Sequence, residues 1–156
     1  MSARRASFTL STAPYFSCGT PITLQVQLKS DQETRTNTIV LNTGTVGSPI
    51  RYDSVAPVLV PDNNPAGTNS PIVVSNILSS LREVSVSIFL THTWDSDLRI
   101  ELVAPDGSAV VLSDSNGGSG DNYGAACTPE NLRTIFDDDG PIAIANGVPP
   151  FIGTFR

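Results

Sequence analysis

An all-β fold is what this sequence predicts, and three features predict it. Thr, Ser, Val and Ile are abundant, and the β-branched residues among them suit a pleated, half-buried surface. Twelve glycines and twelve prolines interrupt the 156 residues, so no window keeps an apolar 3.6 period over the roughly 12 residues that a helix needs. In place of that period, short runs alternate apolar and polar residues two by two. A chain with 39% hydrophobic and 15% charged residues has globular composition, and its length suits about one domain, or one domain and part of another.

Residues 6–48 read as three strands, "ASFTLS", "PITLQVQLKS" and "TNTIVLNTG". In the second, Ile22, Leu24, Val26 and Leu28 alternate with Thr23, Gln25, Gln27 and Lys29, which marks one buried face. A sandwich uses about seven strands, so residues 1–48 are expected to be part of an upstream β-sandwich module. A second unit is expected over residues 50–156. Its stretch "VLVPDNNPAGTNSPIVVSN" sets a Pro- and Asn-rich loop between two short β runs, because Pro fixes φ while Asn and Gly accept positive φ. "REVSVSIFLTHTW" is the clearest strand, with Val84, Val86, Ile88 and Leu90 on one face. "DLRIELVAPDGSAVVLSD" reads as a hairpin with Leu98, Ile100 and Leu102 inward and Asp106-Gly107 at the turn.

The net charge of −6 argues against a phosphate-binding surface and hence against nucleic acid. No run approaches the roughly 20 apolar residues of a membrane span. "MSARRASFTLSTAPYFSCG" has arginines without the apolar core of a signal peptide, so the start reads as internal to a longer chain. Low Lys and Cys with abundant Ser, Thr, Asn and Gly fit an exported bacterial protein. Cys18 and Cys127 fall in different expected units, and no disulfide is predicted between them.

Chemistry concentrates in the second half, where ten of the fifteen carboxylates lie between Asp95 and Asp139 against only Arg99 and Arg133. The single histidine, His92, has no Gly-x-Ser-x-Gly nucleophile to serve, and with Trp94 it is read as packing at the end of a core strand. No catalytic residue is assigned. Metal binding is better supported, because Asp- and Asn-rich loops can present several oxygens to a hard cation. Asp95, Asp97, Asp114, Asp121, Asn122 and the triplet Asp137, Asp138 and Asp139 all fall in loops or at strand ends. Neither an EF-hand nor a glycine-rich calcium repeat is matched, and these residues could equally serve their own turn backbones.

The order "PDNNPAG", "SPIVVS", "VSIFLTHTWDSDLRIELVAPDGSAVVLSDSNGGSGDNY", "TIFDDDGPIAIANGVPPFIGTFR" resembles the P domain, or P/Homo B domain, of proprotein convertases and of bacterial subtilisin-like serine proteases. The resemblance runs from about Ile50 to Arg156. It implies a jelly-roll-like β-sandwich without catalytic residues of its own, beside a subtilisin-type catalytic domain in cis or in a longer parent chain. Such a module would stabilise or regulate that partner, would associate the chain with serine-type endopeptidase activity, and would be secreted or on the cell surface. It also implies calcium, for which Asp95, Asp97, Asp121, Asp137 and Asp138 are the expected ligands. Two departures stand out: the family's closing strands would follow Arg156, and "GAACTPENLR" is a longer insert than usual. A chain ending there is expected to expose a sheet edge. A stand-alone adhesion or binding sandwich of a bacterial surface protein is the alternative of a different class.

Overall fold

The computed structural model describes residues 9–12, 16, 17, 19–54, 56–77 and 81–156. Its regular strands make the protein all-β, with antiparallel and mixed sheets in a sandwich-like arrangement. The chain divides into two compact units, Met1–Ser79 and Ser80–Arg156.

In the first unit, β1 (Ile22–Lys29) and β2 (Thr34–Leu41) form an antiparallel hairpin in which Leu24 faces Ile39 and Val26 faces Asn37. Its turn is closed by the Ser30 hydroxyl, which accepts the Glu33 N–H at 3.0 Å and donates to the Glu33 carbonyl at 3.1 Å. The alternation read from the sequence is present, since Ile22, Leu24 and Val26 are part-buried between exposed neighbours. Burial is incomplete, because all of β2 is exposed and two strands alone cannot enclose a face. Half of the expected strand over residues 6–11 lies outside the described residues, as does Cys18, and its described half, residues 9–11, forms no strand. Residues 58–76 form no strands. The β runs expected on either side of the Pro- and Asn-rich loop do not form, and the segment is tied instead by polar contacts, among them the Tyr52 hydroxyl on the Ser75 carbonyl and Ser54 to Ser70 at 3.2 Å.

The second unit has two sheets. β3 (Val86–Ile88) pairs antiparallel with β6 (Thr134–Phe136), which pairs in parallel with β7 (Gly153–Phe155). β4 (Arg99–Val103) and β5 (Ala109–Asp114) make the expected hairpin, with a register shift at Ile100 and Glu101. Gly107 takes φ +87° at its turn, and Ser108 donates its N–H to the Asp106 carboxylate at 2.9 Å. β3 is shorter than the sequence implied. A strand persists only while it has a partner, and beyond Ile88 the pairing passes to a single bridge between Leu90 and Tyr123.

The core is aromatic. Tyr123 and Phe151 are fully buried and stack at 4.6 Å, and Phe155 meets Phe151 edge-on at 6.0 Å. Such pairs add about 0.5–1.5 kcal/mol each beyond their buried area. Two buried polar pairs flank them: the Tyr123 hydroxyl with Ser113 at 2.8 Å, and the Thr134 hydroxyl donating to the Phe151 carbonyl at 2.7 Å. Gly120 and Gly147 have no room for a Cβ, which would fall 2.4 Å from Pro149 and 2.8 Å from the Phe151 ring respectively.

Candidate metal centre

The stretch "HTWDSD" leaves strand geometry after Leu90. The His92 ring Nδ1 lies 2.9 Å from the Trp94 carbonyl and 3.2 Å from its N–H, curling the chain into a single 3-10 turn over Asp95–Asp97. Trp94 is therefore 51% exposed, which corrects the expectation that it packs inside a core strand. The curled backbone is pinned to the glycine-rich loop that follows β5: Asp95 donates its N–H to the Gly120 carbonyl at 3.0 Å and Ser96 to Gly118 at 3.1 Å. Asn122, at φ +73°, accepts the His92 N–H on its side-chain oxygen at 3.0 Å and donates its own N–H to the His92 carbonyl at 3.1 Å.

This pairing drives the Asp95 side chain inward. Asp95 is 0% exposed, and neither carboxylate oxygen has a hydrogen-bond partner among the described residues. Gly117 lies so close that a Cβ there would sit 2.9 Å from the Asp95 Cβ and 3.0 Å from the Phe151 ring. Burial pushes the Asp95 carboxyl above its ordinary range; the Asn122 backbone and His92 pull it down, and Asp121 adds to the rise. Asp97 and Asp121 are exposed. Asp121 lines a shallow hollow of about 230 Å³ with Thr91, His92, Thr93 and Asn122.

A second acidic neighbourhood lies at the end of β6. Glu83, Asp137 and Asp139 bring carboxylate oxygens within 4.8 Å of one another, an arrangement that could hold a divalent cation. Asp137 is held below the ordinary carboxylate range first by the Ser85 hydroxyl and then by the Asp139 N–H at 2.9 Å. Asp138 is exposed and is not among the three. Glu83 was not singled out from the sequence. The signal for it is register: with Val86 opposite Phe136, the residues before β3 run back along those after β6. Cys127 is exposed and free, with its carbonyl accepting from Arg133 Nε at 2.6 Å.

The fold and these loops meet the comparisons with known proteins at one stretch. Residues 81–132 match the family model of the proprotein convertase P-domain. That stretch is a P domain. It contains β3 to β5, the turn carrying Asp95 and the loop around Tyr123. Among curated relatives, leupeptin-inactivating enzyme 1 of Streptomyces exfoliatus is 38% identical over 98 residues, covering 62% of this chain and 20% of the relative. Transglutaminase-activating metalloprotease of Streptomyces mobaraensis is 36% identical over 72 residues, 46% of this chain and 9% of the relative. The chain thus spans a small part of both relatives. No solved structure matches.

These relatives correct the expected partner. The P-domain resemblance implies a subtilisin-like serine protease and, through it, serine-type endopeptidase activity. One named relative points elsewhere, being called a metalloprotease. One fold hosts many unrelated functions, so a β-sandwich module does not identify the chemistry of its neighbour.

Proposed function

We propose that the P domain is a non-catalytic accessory module of a secreted bacterial metalloprotease, supporting the folding and stability of an adjoining catalytic domain. The observation that carries this reading is the 36% identity to a protein named as a metalloprotease, taken with the family match over residues 81–132. In this reading the module takes in residues 50–156 and follows a jelly-roll-like β-sandwich plan. Among the described residues no helix is long and apolar enough to cross a membrane, which is compatible with secretion.

Calcium is the cation assigned to it. The available donors are carboxylates, which suit a hard ion, and His92 already engages the Trp94 backbone through Nδ1. Glu83, Asp137 and Asp139 are the carboxylates whose oxygens come within reach of one ion, while Asp95, Asp97, Asp121 and Asp138 are ligand positions that the family resemblance implies.

The test is to assay the metalloprotease domain encoded with this sequence, with residues 50–156 present and deleted. A fall in the yield of folded protease, or in its unfolding temperature, supports the reading. Identical yield, stability and activity would overturn it.

A further inference from the structure

We propose that the hollow formed by Thr91, His92, Thr93, Asp121 and Asn122 binds one ring of a neutral saccharide, with Trp94 supplying the apolar face beside it. This goes beyond the accessory role and the calcium reading above and depends on neither.

Two observations meet at this place. Tryptophan is highly buried on average, yet Trp94, the single tryptophan of the chain, is 51% exposed. Its backbone is held by the His92 ring, with Nδ1 2.9 Å from its carbonyl, and by the Asp97 N–H, which donates to the same carbonyl at 3.0 Å. A large apolar surface is thereby kept in water beside Thr93 and the His92 ring, both of which line the hollow. The second observation is the lining itself. The hydroxyls of Thr91 and Thr93, His92 Nε2, the Asp121 carboxylate and the Asn122 side-chain NH2 have no hydrogen-bond partner among the described residues. Other loop acids of this unit satisfy themselves nearby, Asp106 from Ser108 and Asp137 from Ser85 and the Asp139 N–H. Asn122 is already oriented, because its side-chain oxygen accepts the His92 N–H at 3.0 Å and so fixes the amide plane.

The chemistry of the lining selects the class of ligand. Two hydroxyls can donate or accept, the carboxylate only accepts and the amide NH2 only donates, a set that a ligand bearing several hydroxyl groups matches. Among the described residues no Leu, Ile, Val or Phe lines the hollow, so a purely apolar ligand gains little there. No Lys or Arg lines it either, and the Asp121 charge repels phosphates and carboxylates. At about 230 Å³ the hollow is smaller than the roughly 300–1,000 Å³ of pockets for drug-sized molecules, which suits a single ring. A pyranose carries hydroxyls around its rim and C–H groups on its face. An indole next to hydrogen-bonding groups complements both, since its body is apolar and it works where one side is wet.

The experiment titrates the full chain, in chelator, with glucose, mannose, galactose and N-acetylglucosamine, and with glucuronate as an anionic counterpart. Binding is read by Trp94 fluorescence and by calorimetry. Folded wild type is expected to give a saturable response to at least one neutral sugar, with a dissociation constant of about 1 mM for so shallow a site. Glucuronate is expected to bind more weakly than any neutral sugar that binds. Asp121→Ala should weaken binding about tenfold, through loss of a hydrogen bond to a charged acceptor. Trp94→Ala, followed by calorimetry because the fluorophore is gone, should weaken it about fivefold. Both positions are exposed, and an unfolding temperature near that of wild type checks that each variant is folded. Asp97→Ala, an exposed acid of the same turn outside the lining, should keep wild-type affinity. Absence of a saturable response to every neutral sugar overturns the inference, as does a response that appears only with calcium. Unchanged affinity in Asp121→Ala or in Trp94→Ala, tighter binding of glucuronate, or an equal loss in Asp97→Ala also overturns it. None of these outcomes bears on the accessory role, which the deletion of residues 50–156 tests separately.

Discussion

The β1–β2 hairpin and the aromatic core of the second unit relate sequence pattern to burial in opposite ways. Ile22, Leu24, Val26 and Leu28 have the strictest alternation in the first unit, yet Leu28 is 57% exposed and every residue of β2 is exposed. Tyr123, Phe151 and Phe155 have no local period, and they form the most buried cluster of large side chains in the molecule's described residues. Periodicity reports what a strand is ready to bury. Burial itself depends on whether distant segments arrive to cover that face.

The contrast can be broken most forcefully at Phe151. Replacing it with Ala removes a ring that touches both Tyr123 and Phe155, and the expected loss is about 3–5 kcal/mol, read as a lower denaturant midpoint of Trp94 fluorescence. A loss well under 1 kcal/mol would mean that the aromatic cluster is not what holds the second unit. Next in size is Gly120→Ala. Its Cβ would fall 2.4 Å from Pro149 Cγ, and overpacking of this kind costs about 1–3 kcal/mol; the same denaturation curve measures it. The hairpin supplies the opposite limit, for Leu28→Thr is expected to change stability by no more than about 0.5 kcal/mol, and a larger loss would reveal that something covers β1.

The smallest expected effect is electrostatic. The Ser108 hydroxyl and N–H hold the exposed Asp106 carboxyl below its ordinary value of 3.8. A carboxyl whose pKa is lowered by folding stabilises the native state above its unfolded pKa, and that contribution is lost as pH falls through the folded value. The stability gap between wild type and Asp106→Asn should accordingly be slight at neutral pH and vanish in acid, as followed by unfolding at a series of pH values. A gap that widened in acid would contradict the turn geometry.

Much of the strand content was legible. β1, β2 and the β4–β5 hairpin with its Asp106-Gly107 turn follow from period two and turn chemistry, because both act between near neighbours. The reading failed where near neighbours mislead. "REVSVSIFLTHTW" alternates throughout, but only Val86–Ile88 forms a strand, since β6 is three residues long and offers nothing more to pair with. Trp94, an obvious core candidate by type, is turned outward by the contacts of the His92 ring with its backbone. Glu83 was invisible as a partner of Asp137 and Asp139 because those carboxylates meet only across the β3–β6 pairing.

The sequence by itself determined the all-β class, the hairpins, the P-domain likeness and the acidic character of the loops, all of which are local composition and spacing. Only the tertiary structure decided which of those acids is different. Asp95 and Asp97 stand two residues apart in the same turn, yet one is fully buried and the other is in solvent. Backbone bonds from residues 95 and 96 to a loop more than twenty residues away set that difference, and no neighbouring residue in the sequence records it.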